Sequence, residues 1–133
     1  MRTLTRENLI DILYGCAILG TGGGGSLEDG IRLIDEALAQ GKRFRLATFA
    51  DLADTDIIGT PYGCGAISPL TEEERQKYAR LPEASENFYV LCMKQLEQYL
   101  GQELKAVVST ELGGHNTATA LYCGAMGDKL ILA

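Results

Sequence analysis

Two stretches of this sequence carry residue types suited to chemistry at close quarters: Gly20-Thr21-Gly22-Gly23-Gly24-Gly25-Ser26 and Ser109-Thr110-Glu111-Leu112-Gly113-Gly114-His115-Asn116. In the first, one threonine hydroxyl aside, no side chain shields the backbone. Ligand atoms can therefore approach the N–H groups of Gly22, Gly23, Gly24 and Gly25, and positive φ costs little there. A helix capped by Ser26 would aim its unpaired N–H groups and partial positive charge at the same space, which suits a small anion. Three readings compete. A P-loop needs Lys where Ser26 stands, so that reading fails. A dinucleotide fingerprint matches through Gly20, Gly22 and Gly25, with Asp51 downstream, but it requires a strand immediately before the glycines. A tight interhelical turn without a ligand is the plain alternative, although four consecutive glycines are more than such a turn needs.

In the second stretch Glu111 is a candidate general base, metal ligand or substrate anchor. Gly113 and Gly114 again admit a close backbone approach. Asn116 reads equally as a helix N-cap or a substrate contact. His115 is the only histidine, which excludes a multi-histidine metal site within the chain. A mixed set of Glu111, His115 and Cys64 follows no spacing rule.

The elements that must position these residues follow from periodicity and caps. Thr5 caps a helix over Arg6–Leu19, with Leu9, Ile10, Leu13, Cys16 and Ala17 on one face. Ser26 caps a second, striped by Leu27, Ile31, Ile34, Ala37 and Leu38 and stopped by Gly41. Strands are predicted over residues 43–49 and 56–60, a loop over 61–69, and a charged helix or turn over 71–80. Ser85 is expected to cap a third long helix with Phe88, Leu91, Cys92, Leu96 and Tyr99 sharing a face, ended by Gly101. A strand over 104–109, a small-residue helix over 117–126 and a strand over 129–132 complete the pattern. Strands alternating with helices predict an α/β fold: a single domain with a mainly parallel or mixed sheet flanked by helices. The second stretch then lies at the carboxyl end of a strand, where α/β sheets gather ligands. A strand at 129–132 with nothing after it predicts an N-terminal fragment of a longer protein.

The chain has 133 residues, enough for one core, with 46% apolar and 23% charged residues. A net charge of −6 with scattered basic residues argues against nucleic acid. No apolar run is long enough to span a membrane, and no signal peptide opens the chain, so the expected location is cytoplasmic. Cys16, Cys64, Cys92 and Cys123 form no paired spacing and read as reduced thiols; Cys16, Cys92 and Cys123 read as small buried hydrophobes, and Cys64 stands apart between glycines.

Taken together, Leu4-Thr5-Arg6-Glu7-Asn8-Leu9, the run from Gly15 to Leu19 into the glycines, and Glu111-Leu112-Gly113-Gly114-His115-Asn116 resemble the S-methyl thiohydantoin desulfurase family, associated with hydantoinase and oxoprolinase proteins. The likeness is sharpest at the two turns. Where that family has a Gly-Ala-Pro turn, this chain has Gly63-Cys64-Gly65-Ala66-Ile67-Ser68-Pro69, so no role for Cys64 carries over. Family members are longer and continue into an acidic motif and Gly-Arg-Ala. The resemblance implies part of a hydrolase, inactive alone, acting on a cyclic imide or S-methyl thiohydantoin-type ring with loss of methanethiol. For such chemistry a divalent metal such as zinc would activate the attacking water. The small-molecule substrate would be anionic, held by Gly22 to Ser26 with Gly113 and Gly114, while Glu111, His115 and Asn116 act on the ring or the water. Two other readings stand beside it: a nucleotide- or dinucleotide-binding module, and a non-catalytic subunit or interaction domain marked by an exposed sheet edge and homo-oligomer formation.

Overall fold

Local signals set most of the element boundaries seen in the computed structural model, which describes residues 1–65, 69–82 and 87–132. In chain order these are β1 (Arg2–Leu4), α1 (Arg6–Leu19), α2 (Leu27–Ala39), β2 (Phe44–Ala47), β3 (Ile58–Gly59), α3 (Glu72–Ala79), α4 (Phe88–Leu100), β4 (Ala106–Val108), α5 (Gly114–Met126) and β5 (Leu130–Leu132). Thr5 starts α1 through a reciprocal cap: its hydroxyl accepts from the Asn8 N–H, and Asn8 Oδ1 accepts from the Thr5 N–H, both at 3.2 Å. Leu9 and Leu13 are its fully buried residues. Ser26 caps α2 by accepting from the Asp29 N–H at 3.2 Å, and Ile34 and Ala37 carry its buried stripe.

The sheet has the order β1-β2-β5-β4-β3. Strands β2, β5, β4 and β3 run parallel, and β1 pairs antiparallel with β2, so the predicted mixed α/β architecture is what forms. Helix α5 lies at its centre, buried along nearly its whole length. Its small residues make that possible. A side chain at Gly30 of α2 would collide with the Gly114 carbonyl, and one at Gly124 would meet Ile131 and Val107 of the sheet. The main core joins Leu9, Leu13, Ile34, Phe44, Val107, Tyr122 and Ile131, while Ala47, Ala106, Leu130 and Leu132, with Leu52 and Val108 packed on them, form a second small cluster. Strand alternation puts the two clusters on opposite sheet faces.

Two polar contacts hold the layers in register. The fully buried Tyr122 donates to Glu36 Oε1 of α2 and accepts from Asn87 Nδ2, both at 2.6 Å. Burial, helped by the Glu36 carboxylate, pushes its phenol up to about 12. Lys129 pairs with Glu97 at 2.7 Å, with side chains 13% and 17% exposed, and Glu97 Oε1 also accepts from the Leu104 N–H. Burial works to raise the Glu97 carboxyl, but the Lys129 ammonium and the Leu104 N–H outweigh it and hold it below its usual value.

Several expectations need correction. Strand β1 is too short to show a period and was not anticipated. Phe49, expected in a strand, lies in a 3-10 turn and is 82% exposed. Helix α5 starts at Gly114 rather than Thr117, so Asn116 sits inside it and is no N-cap. Helix α4 is capped by Asn87, whose Oδ1 accepts from the Val90 N–H at 3.1 Å; the expected cap, Ser85, lies outside the described residues. Its face is also rotated. Met93 is its buried residue, whereas Phe88, Leu96 and Tyr99 are exposed, and the side that faces the body of the domain also carries Glu97, paired with Lys129. Cys123 is buried and Cys16 half-buried as small hydrophobes, but Cys92 goes to the surface with that exposed face, and all four thiols are free.

The packing predicts opposite effects for two helical glycines. Gly30→Ala should destabilise the fold by roughly 2 kcal/mol or more in chemical denaturation, since backbone cannot yield. Gly15→Ala meets open space in α1 and should stabilise by about 0.5–1 kcal/mol. For Glu97, a lowered folded-state pKa means its contribution is complete above the ordinary carboxylate range and disappears as pH falls through the lowered value. Glu97→Gln should therefore cost about 1–3 kcal/mol near neutral pH and flatten the acid limb of a stability-versus-pH curve.

Candidate functional site

The parallel strands deliver their carboxyl ends to one edge of the sheet: residues 60–65 follow β3, and residues 109–113 lead from β4 into α5. The glycine turn at residues 20–25, between α1 and α2, meets them there. The two reversals are in direct contact. The Gly24 carbonyl accepts from the N–H groups of both His115, at 3.1 Å, and Asn116, at 2.9 Å, so the first glycine turn caps the helix that the second one starts. Side chains on Gly24 or Gly113 would run into the other turn's backbone, and one on Gly25 would come within 2.7 Å of His115 Cβ.

This contact divides the glycines by role. Gly24, Gly113 and Gly114 are spent on backbone-to-backbone packing, the last against Leu27. Gly22, at φ +95°, meets open space. Among the described residues the N–H groups of Gly22, Gly24 and Gly25 donate to no protein acceptor, and Gly22, Gly23 and Gly25 are exposed. Unpaired N–H groups on an exposed turn of this kind can hold an anion. Ser26 gives its hydroxyl to the α2 cap, and Glu28 and Asp29 stand in the first helical turn, so any anion would be held against nearby negative charge. Asp29 is partly offset by its ion pair with Arg32.

The three polar candidates separate. Glu111 is exposed, and among the described residues only its backbone carbonyl is engaged, by the Ser109 hydroxyl at 3.2 Å. Asn116 is 8% exposed and faces the other loop, its Oδ1 accepting from the Gly63 N–H at 3.0 Å and its Nδ2 donating to the Gly63 carbonyl at 3.4 Å. It pins residues 60–65 to α5. His115 is half-buried, its Nε2 3.4 Å from the Tyr89 hydroxyl on α4. Burial raises the Tyr89 phenol above its ordinary value, with the nearby Thr119 hydroxyl acting the other way.

Among the described residues no three His, Cys, Asp or Glu side chains gather as metal ligands. Glu111, His115 and the exposed Cys64 do not form the mixed set, and a zinc ion would find no built donor set here. The dinucleotide reading also fails on geometry. Helix α1, not a strand, runs into Gly20, and Asp51 is bound to the Met1 amino group at 3.2 Å and to the Thr48 N–H at 2.8 Å.

Sequence reasoning missed Tyr89, Thr119 and the Thr60–Thr110 hydroxyl pair, 2.7 Å apart, that ties the two strand-end loops. The tie joins residues 50 positions apart, and no local pattern announces it. Thr119 is 2% exposed, and its buried hydroxyl lies beside the Tyr89 phenol.

Asn116→Ala would release Gly63, an exposed residue, to water and is expected to cost about 0.5–1.5 kcal/mol. Limited proteolysis should show new cleavage within residues 60–65, with α5 still protected from hydrogen exchange.

No helix among the described residues is long and apolar enough to cross a membrane. No curated protein and no solved structure matches the chain. A family model does, over residues 7–132, under the description "S-Me-THD-like, N-terminal domain". That span holds both glycine turns and the contact between them, and the chain belongs to the S-Me-THD-like N-terminal domain family.

Proposed function

We propose that this domain supplies the glycine-lined wall of a cytoplasmic hydrolase site that acts on a cyclic imide or an S-methyl thiohydantoin-type ring. The observation that carries this reading is the docking of the two reversals. It brings the unpaired N–H groups of Gly22, Gly24 and Gly25 and the exposed Glu111 to one edge of the sheet, within a domain of this family. The remaining groups of the site come from the longer proteins in which such domains occur, so the domain alone is inactive.

The free N–H groups of Gly22, Gly24 and Gly25 hold an anionic group of a small-molecule substrate. Glu111 takes a proton from water as the water oxygen bonds to the ring carbon bearing sulfur. The ring C=N electron pair moves onto nitrogen in that step; the carbon–sulfur bond then breaks, the proton held by Glu111 leaves on sulfur as methanethiol, and the hydroxyl proton passes to the ring nitrogen as the carbonyl forms. Asn116 acts as a positioning residue through Gly63, and His115 orients from the α5 side with Tyr89 behind it.

Turnover by a full-length family member, followed as methanethiol release from an S-methyl thiohydantoin, tests this. Replacing the residue equivalent to Glu111 with Gln should lower kcat by at least about a hundredfold with an unchanged melting temperature. Retained turnover removes Glu111 from the chemistry. Protection of this chain by a nucleotide in thermal denaturation would instead favour a nucleotide-binding role for the same turn.

A further inference from the structure

The half-buried ring of His115 lies between α4 and the glycine turn. Its Nε2 is 3.4 Å from the Tyr89 hydroxyl of α4. On the other side, Cγ and Nδ1 are the ring atoms nearest the bare side of Gly25, whose N–H donates to no protein acceptor among the described residues. Which ring nitrogen carries the proton therefore decides what His115 offers to a ligand at the turn.

The neighbouring hydroxyls direct that proton. Thr119 Oγ1 is buried, and no backbone carbonyl among the described residues accepts from it, although a threonine inside a helix ordinarily bonds a carbonyl one turn back. The Tyr89 phenol beside it is the acceptor left for its proton. A phenol has a single proton of its own to give. Aimed at Thr119, it would strand the Thr119 proton as a buried donor without a partner. Aimed at His115 Nε2, it leaves both hydroxyl protons matched. Burial raises the Tyr89 phenol above its ordinary value, so it remains a donor through the neutral range. A neutral imidazole that accepts at Nε2 carries its own proton on Nδ1.

We propose that Tyr89 is a positioning residue: it holds His115 as the neutral Nδ1–H tautomer, so that the ring donates beside Gly25 to the anionic group held at the glycine turn. The tautomer follows from the order of the hydroxyls, Thr119 to Tyr89 to His115 Nε2. The donor role rests on the anion-holding reading of the turn given above. Tyr89 and Thr119 then shape the site without touching its ligand.

His115 is the only histidine, so NMR of the full chain, uniformly labelled with heavy nitrogen, reads its ring nitrogens without overlap from another imidazole. At pH ~8, above the ordinary imidazole range, long-range proton–nitrogen correlations report the tautomer directly. A pyrrole-type Nδ1 and a pyridine-type Nε2 are expected. Tyr89→Phe keeps the ring that packs edge-on to Phe88 and Tyr122, and it should shift the population toward the Nε2–H form. A wild-type ring protonated on Nε2 overturns the proposal, as does a tautomer that Tyr89→Phe leaves unchanged. Inorganic phosphate titrated into the same sample tests the donor role. The Gly22 and Gly25 amides and His115 Nδ1 should move along one saturation curve, and Tyr89→Phe should weaken it about two- to fivefold. Amides that respond while Nδ1 does not overturn the donor role and leave the reading of the turn intact. Phosphate that moves neither overturns the anion-holding reading, and the donor role with it.

Discussion

Backbone meeting backbone at the two glycine reversals is the constraint on which the rest of this domain depends. The Gly24 carbonyl satisfies two of the N–H groups that begin α5, His115 and Asn116, and the approach leaves no room for a Cβ on either side. A helix with four unsatisfied N–H groups at its start needs partners for them when that start is buried. Here a neighbouring turn provides the oxygen where a Ser or Asp side chain would ordinarily do so. The contact fixes where α1 ends, where α2 begins and where α5 enters the core.

From that point α5 can run through the middle of the structure as a helix of small residues. Close packing against α2 at Gly30 and against the sheet at Gly124 replaces the large interlocking side chains of a wider interface. Larger residues are concentrated where the layers meet: Phe44, Leu9, Leu13 and Tyr122. Tyr122 takes part in both kinds of bonding, its ring in the core and its hydroxyl joining Glu36 to Asn87. The partner residues sit on α2 and immediately before α4, so one phenol ties three helical segments.

The same constraint shapes the chemistry available at the sheet's carboxyl edge. Because the Cα side and carbonyl of Gly24 are taken up by the second turn, the backbone left for a ligand is the unpaired N–H groups of Gly22, Gly24 and Gly25. Because Asn116 holds Gly63, the loop after β3 is pinned beside the loop after β4, and Glu111 stands over them with its carboxylate unengaged among the described residues. On the far side of His115, Tyr89 and Thr119 line a groove with no charged wall among the described residues. A polar arc and an apolar groove thus flank one helix N-terminus, with His115 between them.

The sequence by itself determined the helices of the first forty residues, the mixed α/β class and the importance of the two glycine turns. Those are local properties: caps at Thr5 and Ser26, apolar spacing along α1 and α2, and runs of residues without side chains. Tertiary structure alone decided how the turns are used, which face of α4 is buried, and that Asn116 faces Gly63 instead of capping a helix. Each of these depends on contacts between residues far apart in the chain. The buried side of α4 is the one that carries Met93 and the Glu97 paired with Lys129, and the division of the glycines follows from two backbones sharing one carbonyl. Apolar spacing records that a face exists; only the partner across the core selects which face it is.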